Sequence, residues 1–263
     1  MDYLVKGNDI YLKQDDFDLE QTLDCGQAFR WEKDGDKFFG KALDKSLTIY
    51  SKNDYFVFEN TKEKDFIDFW VNYFDLETDY GELKELFSCD KTLSKACEFA
   101  WGIRILKQDS FEALCSFIIS QNNNIPRIKG IISRMCELFG HFPTPKQLSE
   151  ADENMLSPLR AGFRSKYLID CGKKVFSGEI KLEEIKTSEI VDSRKNLMKI
   201  KGVGPKVAEC ALLYGMYKTE AFPVDVWIKR VLSEYYPEGF PQELYKYQGI
   251  AQQYLFHYIR KGL

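Results

Sequence analysis

The first part of the chain alternates between apolar and polar positions, as strands with one buried face do. This alternation, with many aromatic and β-branched residues, predicts strands at Ala28–Lys33, Lys37–Lys41, Leu47–Tyr50 and Tyr55–Phe58. Between the first two strands, the pair Asp34–Gly35 favours a tight hairpin turn. The pattern therefore predicts an antiparallel sheet of about five strands.

From about Thr61 the apolar positions recur every three or four residues, which is the spacing of amphipathic helices. Asp109 followed by Glu112 resembles a capping box that opens a helix, and Gly140 marks the end of the next helix. Helices are predicted at 64–74, 109–120, 125–138, 144–150, 152–160, 164–176, on both sides of 202–204, after 225 and at 242–260. We therefore predict an α+β fold: a small amino-terminal antiparallel β domain (residues 1–100) packed on a larger α-helical part (residues 101–263).

Composition narrows the class of protein. Hydrophobic residues make up 44% of the 263 positions, which is enough for a substantial core, and no apolar run approaches the roughly 18 residues of a membrane span. The acidic amino-terminal segment does not resemble a signal peptide. We expect a cytoplasmic protein, nucleoid-associated if bacterial, that makes no membrane contact.

The metal-ligating residue types are sparse. The seven cysteines are odd in number and form no CxxC pair, and only two histidines are present. A disulfide framework, a zinc ribbon and a histidine-based metal site are therefore disfavoured. We expect no metal-dependent chemistry and no cofactor.

The net charge of −4 hides an asymmetry along the chain. Residues 1–100 carry 13 basic and 23 acidic side chains, whereas residues 101–263 carry 24 basic and 18 acidic ones. A basic carboxyl-terminal part can meet the phosphates of a nucleic acid while the acidic part faces elsewhere. Ordinary variation of surface charge explains the asymmetry equally well.

The sharpest local motif is the turn Gly202–Val203–Gly204, which lies between two predicted helices and is followed by Pro205. Proline suits a first helical position, and glycines allow unusual φ angles and close backbone approach. The N–H groups at the start of the second helix can then bind a phosphate. A tight helix turn without a ligand has the same local pattern.

Five segments together resemble the 8-oxoguanine DNA glycosylases of the helix-hairpin-helix superfamily. They are CGQAFRW at 25–31, SQNNNIPRIKG at 120–130, GFRSKY at 162–167, KGVGPKVAECALLYGMYKTEAFPVDVW at 201–227 and AQQYLF at 251–256. They occur in the family's order and span nearly the whole chain. The resemblance implies a bifunctional glycosylase/lyase that acts as a monomer on double-stranded DNA containing 8-oxoguanine. Whether a structural monovalent cation binds at the hairpin stays open.

The resemblance assigns Lys206 as the nucleophile and Asp225 as its electrostatic partner. The residue types suit this chemistry, because an amine that attacks the anomeric carbon forms a Schiff base, and a carboxylate stabilises the positive charge that develops on the sugar. From the residues alone, an ion pair with phosphate explains Lys206 and a helix cap explains Asp225.

The resemblance also implies a pocket for a base extruded from the duplex. Gln252 reads the Watson–Crick edge, and Phe256 and Cys210 form opposite walls. The carbonyl of Gly26 accepts the proton that 8-oxoguanine, unlike guanine, carries at N7. Gln252 and Phe256 are four residues apart and so share one face of a helix. Without the resemblance, these residues fit a surface amide, two core side chains and a turn glycine.

Four further residues are implied as DNA contacts. Asn122 fills the gap left by the extruded nucleotide, Arg127 and Arg164 hydrogen-bond the cytosine opposite, and Phe163 wedges beside it. A surface charge explains each arginine equally well. The chain departs from well-studied relatives at other positions, where they carry histidine, an acidic residue and methionine. Those positions are Trp227, Ile259 and Tyr214, and Phe163 itself replaces a tyrosine.

Two alternative functions remain open at this stage. A glycosylase for oxidised pyrimidines shares the hairpin, lysine and aspartate, but such relatives usually carry a four-cysteine iron–sulfur loop near the carboxyl terminus, and the last cysteine here is Cys210. A non-catalytic module that uses the hairpin only to bind phosphate is the second alternative. The lysine and aspartate argue against it.

Overall fold

The computed structural model describes residues 1–262, and the chain forms two compact units. The first unit combines Met1–Lys107 with Val224–Leu263, and the second is Gln108–Pro223. The carboxyl-terminal residues thus belong to the same compact unit as the amino-terminal ones, and the two domains predicted with a boundary at residue 100 stay a prediction. Periodicity along a sequence does not show which earlier element a late helix packs against.

The first unit contains the predicted antiparallel sheet, which has six strands rather than about five. The order across the sheet is β1-β2-β6-β5-β4-β3, and all neighbours are antiparallel. The strands are β1 (Asp2–Lys6), β2 (Asp9–Lys13), β3 (Trp31–Asp34), β4 (Lys37–Ala42), β5 (Lys45–Lys52) and β6 (Tyr55–Glu59). The additional strands come from the amino-terminal hairpin. The strand predicted from Ala28 begins at Trp31.

The predicted hairpin turn at Asp34–Gly35 joins β3 to β4 and sets their register. Trp31 lies opposite Gly40, and a side chain at Gly40 would overlap the Trp31 ring. The Trp31 indole N–H donates a hydrogen bond to the Tyr73 hydroxyl at 2.8 Å. Trp31 therefore fixes the sheet against the helical segment that follows it, inside an aromatic core.

The helices of the two units follow in chain order. The first unit begins with α1 (Leu19–Leu23), α2 (Glu63–Asp65), a π-helical turn at Phe66–Trp70, α3 (Val71–Tyr73), α4 (Tyr80–Phe87) and α5 (Lys91–Phe99). The second unit contains α6 (Ser110–Ser120), α7 (Ile125–Phe139), α8 (Pro145–Glu150), a 3-10 helix at Ser157–Leu159, α9 (Arg164–Phe176), α10 (Leu182–Thr187), α11 (Ile190–Leu197) and α12 (Pro205–Met216). The first unit is completed by α13 (Val226–Tyr235), a 3-10 helix at Gln242–Tyr247 and α14 (Gln248–Lys261).

Most of the predicted helices are present, and their capping residues explain where they begin. The side chain of Asp109 accepts hydrogen bonds from backbone N–H groups at the start of α6, and Gly140 ends α7 in the left-handed conformation. The single helix predicted at 242–260 is instead a 3-10 turn followed by α14. In the described part of the chain, no helix has the length and apolar character needed to cross a bilayer.

In the first unit, α14 packs on α5, which accounts for the return of the chain. The Phe99 ring lies 5.8 Å from the ring of His257 and 5.7 Å from that of Tyr258, between centroids. The Phe87 ring makes a similar contact with Tyr254. The helix that carries Gln252 and Phe256 is thereby held within the same unit as the sheet.

Candidate active site and DNA-contacting turns

The Gly202–Gly204 turn is fixed to α9 within the second unit. Gly202 has φ +79°, and a side chain there would overlap the Tyr167 ring. The N–H of Lys201 donates to an Asp170 carboxylate oxygen at 2.7 Å. Gly202 is therefore required by the fold itself, both for its left-handed backbone and for the close approach of Tyr167.

Gly204 differs, because nothing within the chain requires a glycine there. It is the N-cap of α12 with φ −95° and ψ −178°, an extended conformation open to any residue. A Cβ at this position would meet no atom within 4 Å. No side chain caps the helix, so the first N–H groups after Pro205 lack helical partners and are available to an anion.

Lys206 follows at the second position of α12 and is half-buried. Its Nζ lies 5.6 Å from the centroid of the Phe117 ring, which is itself stacked on Tyr214 at 5.2 Å. Within the described chain, the ammonium makes no ion pair. Cys210 is buried one turn further along α12. The amine therefore rests against an aromatic wall instead of a carboxylate.

Glu209 is a buried carboxylate on α12 that the sequence analysis missed. One oxygen pairs with the Nε of Arg194 on α11, and the other accepts the N–H of Phe222 at 2.7 Å. Glu209 thus ties the segment that precedes Pro223 to the hairpin helices. The signal in the sequence is one charged residue within the apolar run VAECALL, where an unpaired carboxylate would be costly to bury.

Asp225 lies in the first unit and caps α13. Its Oδ1 accepts hydrogen bonds from the N–H groups of Trp227 at 3.0 Å and Ile228 at 2.9 Å. The cap expected from the residues alone is therefore present. The two side chains that follow are exposed, Val226 to 75% and Trp227 to 41%. Large apolar side chains beside a capping carboxylate suit contact with another molecule better than contact with water.

Gly26 lies in a tightly held turn of the first unit, with φ +88°. The buried amide of Gln27 donates to the carbonyls of Thr22 at 2.9 Å and Arg104 at 2.8 Å, and accepts the Leu106 N–H at 2.9 Å. On the other side, burial raises the pKa of the Cys25 thiol to about 11. Gln27 was not singled out from the sequence, although it lies in the CGQAFRW motif.

The first unit also brings α14 to this turn. Gln253 is buried, and its Nε2 contacts the Cys25 carbonyl at 3.5 Å. The neighbouring Gln252 is 3% exposed, and its Oε1 is a buried acceptor with no hydrogen-bond partner among the described residues. Phe256, half-buried one turn later, carries the Arg260 guanidinium over its ring at 5.1 Å. A buried amide oxygen without a donor is a position where a ligand N–H would be stabilised.

The asparagine loop, defined as residues 121–124, joins α6 to α7 in the second unit. Asn123 donates to the Ile119 carbonyl at 3.1 Å, and Asn124 caps α7 by accepting the Arg127 N–H at 3.0 Å. Asn122 has φ +45° and an exposed side chain that makes no hydrogen bond to the described chain. Two asparagines therefore build the loop, and the third points into solvent.

Arg164 is buried against this loop, unlike the exposed Arg127. Its Nε donates to the Gln121 carbonyl at 2.9 Å, and its Nη2 contacts the carbonyls of Gln121 and Asn122, the latter at 3.0 Å. Burial and then the neighbouring charge of Arg127 lower the pKa of the Arg164 guanidinium. The exposed Phe163 ring lies 4.5 Å from that guanidinium. All four predicted contact residues of this region are thus brought together.

The chain resembles known families along almost its whole length. A family described as the 8-oxoguanine DNA glycosylase N-terminal domain matches residues 9–114, and the HhH-GPD superfamily of base excision DNA repair proteins matches residues 115–243. The N-glycosylase/DNA lyase of Saccharomyces cerevisiae is 31% identical over 261 residues, which cover 83% of this chain and 68% of the yeast protein.

Two solved structures are similar over the entire chain. The structure of MBOgg1 in complex with a low-affinity DNA ligand has a TM-score of 0.92 and 40% identity, covering 100% of this chain and 99% of that one. The Clostridium acetobutylicum 8-oxoguanine glycosylase/lyase, in complex with double-stranded DNA containing cytosine opposite 8-oxoguanine, has a TM-score of 0.91 and 36% identity. That alignment covers 100% of this chain and 98% of the clostridial one.

Proposed function

Because the chain belongs to the 8-oxoguanine DNA glycosylase family of HhH-GPD base excision repair proteins, we propose that it excises 8-oxoguanine from double-stranded DNA and then nicks the strand. The family assignment makes it a DNA N-glycosylase with AP lyase activity. The proposal adds the substrate base and the residues that act on it. We expect the protein to work as a monomer.

The buried Oε1 of Gln252 is the observation that carries the choice of base. An unpartnered acceptor needs an N–H donor, and the Watson–Crick edge of guanine and of 8-oxoguanine supplies N1–H and N2–H₂. On the turn held by Gln27, the Gly26 carbonyl is an acceptor for the proton at N7 of 8-oxoguanine. Normal guanine has a lone pair at N7 and would be repelled.

Lys206 is the proposed nucleophile. Its unpaired amine attacks C1′ as the C1′–N9 bond breaks, and the base leaves with the bonding electrons and takes up a proton. Loss of a proton from the nitrogen and opening of the sugar give a Schiff base. Removal of a proton from C2′ then expels the 3′ phosphate by β-elimination, and hydrolysis frees the lysine. The carboxylate of Asp225 stabilises the positive charge on the sugar.

In this proposal, two turns of the second unit contact the DNA: the Gly202–Gly204 turn and the asparagine loop. The uncapped start of α12 donates N–H groups to a phosphate, with Gly204 allowing the backbone to approach. Asn122 enters the space left by the extruded nucleotide, with the exposed Phe163 beside it. In this proposal the exposed Arg127, near the start of α7, donates hydrogen bonds to the opposite cytosine.

A panel of duplexes tests the substrate. Duplexes with 8-oxoguanine or thymine glycol, each opposite all four bases, are incubated with the protein and analysed with and without alkali. We expect base release from 8-oxoguanine, fastest opposite cytosine, and strand nicking without alkali. Release from thymine glycol alone would favour the oxidised-pyrimidine alternative. No base release from any duplex would leave only a DNA-binding module.

The Gln252→Ala protein tests the base pocket. We expect excision of 8-oxoguanine to be about 10- to 100-fold slower. The reason is that the hydrogen bond between the base edge and the Gln252 amide, worth about 1–3 kcal/mol, is lost. Nicking of a preformed abasic site should be unchanged, since that substrate has no base to recognise. Gln242→Ala, which removes an exposed glutamine from the 3-10 helix before α14, is the matched control. Equal excision by both variants would remove Gln252 from the pocket.

A further inference from the structure

The proposed nucleophile, Lys206, is a long side chain that can adopt many conformations. Its amine is carried on a flexible four-carbon stem, and ordering such a stem costs conformational entropy. Attack on C1′ requires the reacting atoms to be aligned and about 3–3.5 Å apart, and a misplacement of about 1 Å can lower the rate by about 100-fold. The reaction therefore depends on whatever holds the Lys206 amine in place.

The aromatic ring of Phe117 on α6 lies beside this amine. The Lys206 Nζ is 5.6 Å from the ring centroid, which is within the roughly 6 Å over which a ring face attracts a cation. Lys206 is half-buried, and Phe117 is only 2% exposed. The attraction is stronger where water is excluded, so a half-buried ammonium gains more from the ring than a fully exposed one would.

The Phe117 ring is itself held by both helices. It stacks on Tyr214 of α12, with 5.2 Å between the ring centroids and 23° between the ring planes, an arrangement that aromatic pairs favour. The two helices also pack closely at the other end of α6. The Ser110 hydroxyl donates to the Gly215 carbonyl at 2.7 Å, and a side chain at Gly215 would overlap Ala113. The ring is therefore a fixed surface, whereas the lysine beside it is a flexible chain.

A ring face holds a lysine amine differently from a carboxylate. A carboxylate accepts charge-assisted hydrogen bonds from the ammonium, and these must be broken before the nitrogen can reach a sugar carbon. A ring attracts the positive charge through its quadrupole and forms no charge-assisted hydrogen bond. The ring therefore keeps the resting ammonium in place but has little hold on the neutral amine, which is the form that attacks.

We propose that Phe117, supported by Tyr214, is a positioning residue that holds the Lys206 amine ready for attack on C1′. The inference rests on the proposed function and deepens it, because it names the group that orients the nucleophile. Loss of the ring should slow base release and formation of the covalent adduct, since both need the amine in place. The affinity for DNA should not change, because the buried Phe117 presents no group to a phosphate.

Phe117→Leu tests this role, because it removes the ring and keeps an apolar side chain. In single-turnover assays with saturating protein, we expect excision of 8-oxoguanine and borohydride trapping to be about 10-fold slower, with the Kd for the lesion duplex unchanged. Phe111→Leu makes the same change at a buried position near the start of α6, and this matched control should retain the wild-type rate. If Phe117→Leu excises at the wild-type rate, or only binds DNA more weakly, the proposal is wrong.

A measurement on the free wild-type protein covers the case in which Phe117→Leu does not fold. The ring current of Phe117 should move the NMR signals of the Lys206 Cε protons upfield of those of the other lysines, with Lys206→Gln identifying the signals. Tyr214→Leu should reduce this shift, because the ring loses its support. Unshifted Lys206 signals in wild type would contradict the proposal. Absence of 8-oxoguanine excision by wild type would overturn the proposed function, while the ring-current result would still stand.

Discussion

Two short helix–helix connections in the second unit have a similar backbone arrangement but satisfy their backbone hydrogen-bonding groups differently. The connection that contains Gly202–Gly204, called the hairpin below, joins α11 to α12, and the asparagine loop joins α6 to α7. Each contains a residue with positive φ, Gly202 in the hairpin and Asn122 in the loop. In the hairpin, the next helix starts at Gly204 without a side-chain cap. In the asparagine loop, Asn124 caps the next helix, and the loop carbonyls of Gln121 and Asn122 accept hydrogen bonds from Arg164.

The difference shows how one architecture yields two kinds of contact. An uncapped helix start leaves backbone N–H groups for a phosphate, which any DNA sequence provides. A turn whose backbone groups are already satisfied has only side chains to offer, and these can enter the duplex or read a base. The residue at the N-cap therefore decides whether the connection binds through its backbone or through its side chains.

The largest expected effect is the loss of covalent catalysis, which we expect only from a substitution at Lys206 beside the hairpin. Lys206→Gln should abolish the covalent adduct that borohydride traps between protein and lesion DNA, with base release lowered by on the order of 10³-fold or more, since no other amine replaces the nucleophile. Lys201→Gln, which removes the same charge from an exposed hairpin position, and Arg127→Ala should still form the adduct. An adduct of undiminished yield in Lys206→Gln would exclude Lys206 as the nucleophile.

The residues with positive φ provide the second contrast. Gly202→Ala should lower the free energy of unfolding by about 2 kcal/mol or more, because alanine is strained at φ +79° and its methyl group would overlap Tyr167. Asn122→Gly should leave that free energy nearly unchanged, since glycine adopts φ +45° readily, while excision slows because the inserted side chain is gone. Urea denaturation and excision assays measure both. Equal stability of the two variants would contradict this contrast.

A substitution at the N-cap of α12 tests whether the hairpin binds DNA through its free backbone N–H groups, and we expect a smaller effect from it. Gly204→Ser supplies a hydroxyl that accepts the free N–H groups of α12, so the protein should gain a few tenths of a kcal/mol in stability. Affinity for undamaged duplex should fall about tenfold, because the same N–H groups no longer reach a phosphate. Asn124→Ser, which retains a capping side chain, is the control. Unchanged affinity of Gly204→Ser would show that the hairpin backbone does not bind phosphate.

The smallest expected effect is a pH dependence of stability that comes from His257 in the first unit, away from the hairpin and the asparagine loop. Burial, with the charges of Lys261 and Arg260, lowers the pKa of His257. The unfolded chain therefore takes up this proton at a higher pH than the folded one, so stability present above about pH 6.5 is lost as the pH falls. The melting temperature of wild type should drop more than that of His257→Asn between pH 7 and pH 5.5. The opposite order would contradict this sign.

Local features of the fold were predictable because their causes are local. The cap at Asp109, the end of α7 at Gly140 and the extent of α9 follow from residues within a few positions of each other. The hairpin β1–β2 was missed because its strands carry charged residues and one of them, β1, is largely exposed at the sheet edge. An exposed edge strand lacks the clean alternation of a half-buried one.

The sequence pointed to candidate site residues, but it did not show which other residues their side chains would contact. Lys206, Asp225 and Gln252 were named from a family pattern, and their roles remain proposals. The engagement of Arg164 depends on carbonyls 43 and 42 positions away, and Glu209 on an arginine 15 positions away. No spacing rule connects such distant groups. Buried polar residues inside apolar runs are the signal that points to them.

The order of the chain through the two units has a consequence for synthesis. Residues 108–223 are contiguous, whereas the first unit needs 224–263 to place α14 on α5. On the ribosome, the helical unit can reach its native contacts while the carboxyl-terminal segment is still in the exit tunnel, and the sheet-bearing unit must wait for the final residues. A premature stop after Pro223 would thus leave α5 without the helix that packs against it.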